Sequence, residues 1–199
     1  MGGPYGLSFA ANPRDELRPR YAEYFDNQNA DYKPTEVVRR LFIDNRDRDA
    51  TNDAVKGDSA PFDFVVPFQA LGIDRYQNVV ACELLALSFP KVLNETYVIV
   101  DIAEFADQID SSDNGSDRTF AVAFFDCFDP QAPVGTVKPI KGKDFTTKRV
   151  DFEPRLPSLS RLTCRFRKYG GDIVTLGDVG NVGTVNMLLE VTTLIGDRS

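Results

Sequence analysis

From Pro61 to Ile195 the chain is a succession of short apolar segments separated by turn-forming stretches, and none of these segments shows the sustained helical periodicity of an ordinary helix. PFDFVVP, residues 61–67, alternates Phe62, Phe64 and Val66 against Asp63 and Val65. Pro67 stops it, because proline has no N–H to give a ladder. QNVVACELLALSFP, residues 77–90, is a long apolar run closed by Pro90. Leu84, Leu85 and Leu87 are good helix formers, but the length and the terminal proline favour a strand. ETYVIVDIAEF (95–105) and TFAVAFFDCF (119–128) are rich in β-branched and aromatic residues, which suit a pleated surface. TKRVDFEP (147–154) reads as a short strand ended by Pro154. SRLTCRFRKY (160–169) alternates Leu162, Cys164 and Phe166 against Thr163, Arg165 and Arg167, the pattern of a half-buried strand. TVNMLLEVTTLI (184–195) closes the series.

With a small strand at Ile173–Leu176, this gives about eight strands and no βα alternation, which points to a sandwich or barrel. Eight strands divide into two four-stranded sheets, the jelly-roll count. The expected fold is therefore all-β: a single eight-stranded jelly-roll sandwich over residues 61–199. Residues 1–60 form an irregular N-terminal arm and linker, with one strand in EVVRRLFIDNRDRD (36–49). Gly2, Gly3, Pro4, Gly6, Pro13, Pro19 and Pro34 break any long element in the arm, although a helical turn around Glu16–Phe25 is allowed. The arm carries Tyr5, Phe9, Tyr21, Tyr24, Phe25 and Tyr32, more aromatics than an inert tail needs. Tyr21, Tyr24 and Phe25 are candidate docking residues.

Val79–Leu87 and Val185–Leu194 are apolar at successive positions, whereas a sheet with one wet face should alternate. This implies that the outer face is covered, by the arm or by a neighbouring subunit. Arg161, Arg165, Arg167 and Lys168 form a basic stripe on one strand. It is either an exposed sheet face or a patch that pairs with a neighbour's acidic loops, with Arg165 and Arg167 as candidate interface residues.

Several chemistries are excluded or weakened. The chain has no histidine, which removes serine and cysteine triads, zincin motifs and imidazole metal ligands. Gly177, Gly180 and Gly183 are spaced GxxGxxG and precede a strand, so they offer no helix N-terminus to a phosphate. The loop Asp110–Gly115 has the first part of a calcium loop, but Ala121 stands where the bidentate Glu belongs. Cys82, Cys127 and Cys164 are odd in number and widely spaced, so they read as buried hydrophobes in a reducing compartment. The sequons at Asn94 and Asn114 follow no secretion signal at the N-terminus given, and no apolar run is long enough for a membrane span. A net charge of −7, with acidic and basic residues interleaved in the arm, argues against direct binding of nucleic acid by bulk charge. No catalytic residue, metal or cofactor is expected.

The succession FDFVVPFQALGIDRYQNVVACELLALSFPKV, ETYVIVDI, TFAVAFFD, LPSLSRLTCRFRKYGGD and VNMLLEV resembles the single jelly-roll capsid proteins of large icosahedral DNA viruses, of the phycodnavirus and iridovirus type. The matching positions are Phe62, Phe64 and Pro67 in the first strand and Glu83 before Leu84 in the second. Leu156, Leu159, Arg161, Leu162, Arg165 and Phe166 match late in the chain, ahead of a turn at Gly170, Gly171 and Asp172. The resemblance spans about residues 36–195. Cys164 departs from it where an aliphatic is usual, as does GDVGNVGTVN before the last strand. The resemblance implies a structural role in the virion capsid, assembled in the host cytoplasm. The leading expectation is a homopentameric penton that closes the five-fold vertices against major and minor capsid proteins. The alternatives are a minor or cement protein elsewhere in the shell and a carbohydrate- or receptor-binding jelly-roll module.

Overall fold

A computed structural model of the chain describes residues 34–105, 119–146 and 149–195. Tyr21, Tyr24 and Phe25 of the arm, and the loop Asp110–Gly115 with Asn114, lie outside the described residues. Within them the chain forms two antiparallel sheets and little else. The strands are β1 (Thr35–Asp44), β2 (Asp63–Pro67), β3 (Tyr76–Pro90), β4 (Tyr97–Ile102) and β5 (Thr119–Phe124), then β6 (Val137–Lys141), β7 (Phe145–Thr146), β8 (Arg149–Leu159), β9 (Arg161–Arg167) and β10 (Asn186–Ile195). The first sheet runs β1-β10-β3-β6, with β8 also paired to β3, and the second runs β2-β9-β4-β5-β7. β3 is long enough for two partners on one edge: β8 pairs with Tyr76–Glu83 and β6 with Ala86–Pro90.

Several expectations change. One compact unit spans Glu36–Leu194, so the domain boundary expected at residue 60/61 falls inside it. β1 is a full member of the first sheet rather than part of an arm. Residues 50–60, polar enough to read as a linker, are a folded corner of short helical turns. Arg48 pairs with Asp53 at 2.6 Å, Lys56 with Asp63 at 3.0 Å, and the Asp49 N–H donates to the Val65 carbonyl at 2.7 Å. Ile173–Leu176 is not a strand and contributes only a bridge from Ile173 to Arg167. GTVKPIKGKD, expected as a connection, contains β6. β8 does not end at Pro154. Its pairing with β3 breaks between Val79 and Ala81, and the proline sits in the stretch between Asp151 and Leu156 that this break leaves out of register. A proline that cannot donate to the ladder is tolerated in such a bulge.

Bulges also explain much of the two-sided apolarity. The β10–β3 register shifts at Leu188/Leu189 and at Thr192/Thr193, leaving Leu85 and Val80 of β3 unmatched. Each shift resets which residues point inward, so Ala81 and Cys82 are both buried, as are Val191, Thr192 and Thr193. An uninterrupted apolar run here records a change of phase more than a second covered face.

The sheets are held face to face by phenylalanines. Phe89 of β3 meets Phe166 of β9 at 5.0 Å between ring centroids, Phe62 at 5.6 Å and Phe125 at 6.4 Å. Phe64 stacks on Phe166 at 6.1 Å. At the other end Phe105 touches Phe120 and Phe152 at 5.2 and 5.3 Å. Phe62, Phe89 and Phe166 are wholly buried. Such pairs add about 0.5–1.5 kcal/mol each beyond the area they bury. Truncating Phe89 removes contacts in both sheets at once. Phe89→Ala is expected to cost about 3–5 kcal/mol, and Phe89→Leu less than half of that. Urea unfolding checks this, with the midpoint lowered and the m-value unchanged if the effect is on the folded core.

Candidate functional site: the loop end of the sandwich

Four connections meet at one end of the two sheets: residues 45–62, 91–96, 125–136 and 168–185. Backbone bonds lock them together. Lys91 exchanges bonds with the 133–136 turn, its N–H donating to the Thr136 carbonyl and its carbonyl accepting from the Gly135 N–H, both at 2.9 Å. The Leu93 N–H donates to the Asp178 carbonyl at 2.9 Å, and the Phe125 N–H to the Thr96 carbonyl at 2.8 Å. The Asn45 amide spans two of the connections, donating to the carbonyls of Pro61 at 3.1 Å and Gly183 at 2.5 Å. Lys91 also turns its ammonium onto the carbonyls of Asp129, Pro130 and Ala132 at 3.3, 3.1 and 3.0 Å. One side chain thereby gives a donor to three carbonyls of the turn, of which that of Asp129 also accepts the Ala132 N–H at 2.8 Å.

The glycine-rich segment 170–183, which the sequence pattern presents as a plain loop, is the keystone of this end. Thr175 and Asp178 form a capping box over the turn Leu176–Val179, which ends on Gly180 in the left-handed region at φ 59°. Asp178 accepts from the Thr175 N–H and hydroxyl, each at 2.8 Å, and from Lys168 at 3.1 Å. Burial alone would raise its pKa, but these donors reverse that and leave it below the usual carboxylate value. Gly135 packs so tightly that a Cβ there would lie 2.5 Å from the Val179 carbonyl, and its φ of +81° is itself a glycine conformation.

Each of the four connections exposes one large apolar side chain. Val55 is 88% exposed, Tyr169 76%, Leu93 52% and Val134 37%, each from a different one of the four connections. Tyr169 is braced edge-on against Tyr97 at 6.5 Å. Between two of the loops lies a groove of about 370 Å³, with Phe125 and Phe128 in its wall and Glu95, Asp126 and Asp129 among its rim residues. Exposed apolar residues scattered singly need no explanation, whereas several on one rigid end mark a contact surface.

The other sequence-derived positions fall elsewhere. Phe62, Phe64, Leu159, Leu162 and Phe166 are core residues, and Leu156 packs against the core from its edge. Pro67 ends β2, and Glu83 lies 3.8 Å from Arg149. The basic stripe is paired within the chain. Arg161 lies 3.6 Å from Glu104, Arg165 3.4 Å from Asp63, Arg167 2.6 Å from Asp101 and Lys168 3.1 Å from Asp178. Every cation in it has an acid from its own chain within 4 Å, while the Arg161 and Arg165 side chains stay 66% and 36% exposed. Glu104 also accepts the Thr163 N–H at 2.7 Å and the Thr163 hydroxyl at 2.8 Å, taking the place of a ladder carbonyl beyond the end of β4. No spacing rule would have found the four-loop surface, because its members are up to about 120 residues apart along the chain.

Cys82 and Cys164 are buried free thiols, one in each sheet. Burial pushes Cys82 up to about 12 and Cys164 well above its ordinary value, so neither supplies a thiolate. Among the described residues no three His, Cys, Asp or Glu side chains converge as a metal centre, and no helix is long and apolar enough to cross a membrane. Asn94 is exposed, with its backbone in the left-handed region at φ 60°. Comparison with protein-family models and with curated proteins gives no match.

Two outcomes follow from this geometry. Gly135→Ala should destabilise the protein by about 1–3 kcal/mol, because the turn must shift away from the 176–182 segment. Thermal melts of the two proteins check it. The lowered pKa of Asp178 makes its contribution fully present above the ordinary carboxylate range and lost as pH falls through its folded value, below 3.8. The stability difference between wild type and Asp178→Asn should therefore be constant above about pH 5 and shrink toward pH 3.

Proposed function

We propose that the chain is a single jelly-roll subunit of a viral capsid and that it acts as the penton, five copies closing each five-fold vertex. The observation that carries this reading is the strand order. With the short β6 and β7 set aside, the sheets read β1-β10-β3-β8 and β2-β9-β4-β5. Successive strands cross between the sheets at every step except β4 to β5, and the last strand, β10, lies beside the first, β1. This order supports the jelly-roll reading, in which two Greek keys are nested. It agrees with the resemblance to single jelly-roll capsid proteins read from residues 36–195.

The loop end supports a structural role over a catalytic one. Its connections are cross-braced by backbone bonds, and each of the four exposes an apolar side chain, Val55, Leu93, Val134 or Tyr169. A rigid apolar end suits permanent contact with neighbours, where a pre-formed surface loses little entropy on docking. Head-to-tail contacts of this kind close into a ring at the right rotation. On this reading the neighbours are major and minor capsid proteins, the site of residence is the virion, and assembly takes place in the host cytoplasm.

Native mass spectrometry of the full chain at high concentration tests the stoichiometry. A pentamer is expected. A stable trimer would contradict the penton reading and favour a receptor- or carbohydrate-binding module.

A further inference from the structure

The free edges of the two sheets are not alike. β2 is covered by its own chain: the Asp49 N–H occupies the Val65 carbonyl at 2.7 Å, the Lys56 ammonium occupies the Asp63 carbonyl at 2.5 Å, and Pro67 ends the strand. β7 is two residues long. β6 carries Lys138, Pro139 and Lys141, and β8 carries Pro154 and Pro157 within a broken register. These are the devices by which sheet edges are kept from pairing with other chains. β1 has neither a proline nor a covering group among the described residues, over a strand of ten residues.

Its register against β10 fixes which groups it offers. The Asn45 N–H donates to the Val185 carbonyl at 3.0 Å, and the Thr193 hydroxyl donates to the Val37 carbonyl at 3.3 Å. Odd-numbered backbone groups therefore face β10. By the two-residue alternation of a strand, the N–H and C=O of Glu36, Val38, Arg40 and Phe42 face the open edge. The side chains of these same residues stand on the outer face, with Val38 54% and Phe42 57% exposed. Arg40 lies 3.8 Å from Glu190 in a pair that leaves its side chain 71% exposed.

We propose that β1 is a docking edge for β1 of a second copy, joined antiparallel about a two-fold axis through Val38. β1 is the longest free edge among the described residues without such a device, so the edge contact proposed between copies is this strand with itself. A two-fold perpendicular to the sheet keeps both outer faces on one side and so places even residues opposite even ones. Centred on Arg39 or Arg40, the pairing sets arginine against arginine. Centred on Val38, it sets Val38 against Val38 and Glu36 against Arg40 on both sides of the axis, with no like charges facing. Opposite-charge cross-strand pairs stabilise a sheet and like-charge pairs weaken it. A few paired residues bury less than a permanent dimer needs, so the contact is a weak one that a crosslink would trap. It does not rest on the capsid reading: a two-fold contact links a subunit of one ring to one of another, or two subunits outside any ring.

The test is disulfide trapping of the full chain in a Cys127→Ser background, read on non-reducing gels. Val38→Cys sets two thiols face to face across the axis, within the reach of a disulfide. Val55→Cys, at the far loop end and 88% exposed, is the control for random collision. Val38→Cys is expected to crosslink on the order of tenfold faster than Val55→Cys, the gain that a pre-docked pair gives. Adding Glu36→Arg should abolish that advantage, and adding Glu36→Arg with Arg40→Glu should restore it. Within one strand these residues are four positions apart and cannot compensate each other, so rescue requires a partner chain. Equal rates at positions 38 and 55, or a double swap that fails to rescue, would overturn the proposal. A pentamer by native mass spectrometry with no Val38 crosslink would refute this contact and leave the penton reading standing.

Discussion

Everything in this molecule depends on the contact between Phe89 and Phe166. One ring comes from the central strand of the first sheet and the other from β9 of the second, and their centroids stand 5.0 Å apart. Around them Phe62, Phe64 and Phe125 complete a column that runs from mid-sandwich to the loop end. Two antiparallel sheets have little else to fix their spacing, since backbone bonds act only within a sheet. Large planar side chains set that spacing and lose few rotamers in doing so.

The column also ties the core to the surface. Phe125 touches Phe89 on one side and Phe128 on the other, at 5.4 Å, and Phe128 helps form the groove between two of the end loops. The loop end is thus an extension of the core. Its polar atoms are committed inward: Lys91 to three carbonyls, Asn45 to two, Asp178 to Thr175 and Lys168. Among the side chains left facing out, Val55, Leu93, Val134 and Tyr169 are apolar, and Asn94, Asp126, Asp129 and Gln131 stand exposed beside them. In a substrate pocket a few polar groups converge on a ligand, whereas the bonded polar groups named here brace the loops against one another. The proposed role of the chain as a building block rests on this bracing and on the strand order.

The sequence carries the strands well and their partners poorly. Proline and alternation mark β2, β3 and β9 closely, because each has a single buried face or a clear stop. β1 is visible as a strand, but its place in the sheet is not. Its partner β10 lies some 150 residues away, and the corner after it is polar for a local reason, the pairing of Arg48, Lys56 and Asp49. β6 is hidden by Pro139 and its lysines, which are features of an edge strand as much as of a turn. Pro154 is a false stop signal, because a bulge can hold a proline inside a strand. The arginines of β9 are legible as a stripe, yet their acids, Asp63, Asp101 and Glu104, come from separate segments. Long-range pairing of this kind leaves no local trace.

The central claim is that this sandwich closes a vertex of an icosahedral shell. An electron-microscopic reconstruction of the intact particle, focused on its five-fold axis, tests it most directly. The account predicts five copies of a sandwich whose density follows the β1-β10-β3-β8 and β2-β9-β4-β5 order, with Phe89, Phe166 and the other core rings resolved between the sheets. A different chain at that axis, or a vertex density that this strand order cannot fit, would contradict it.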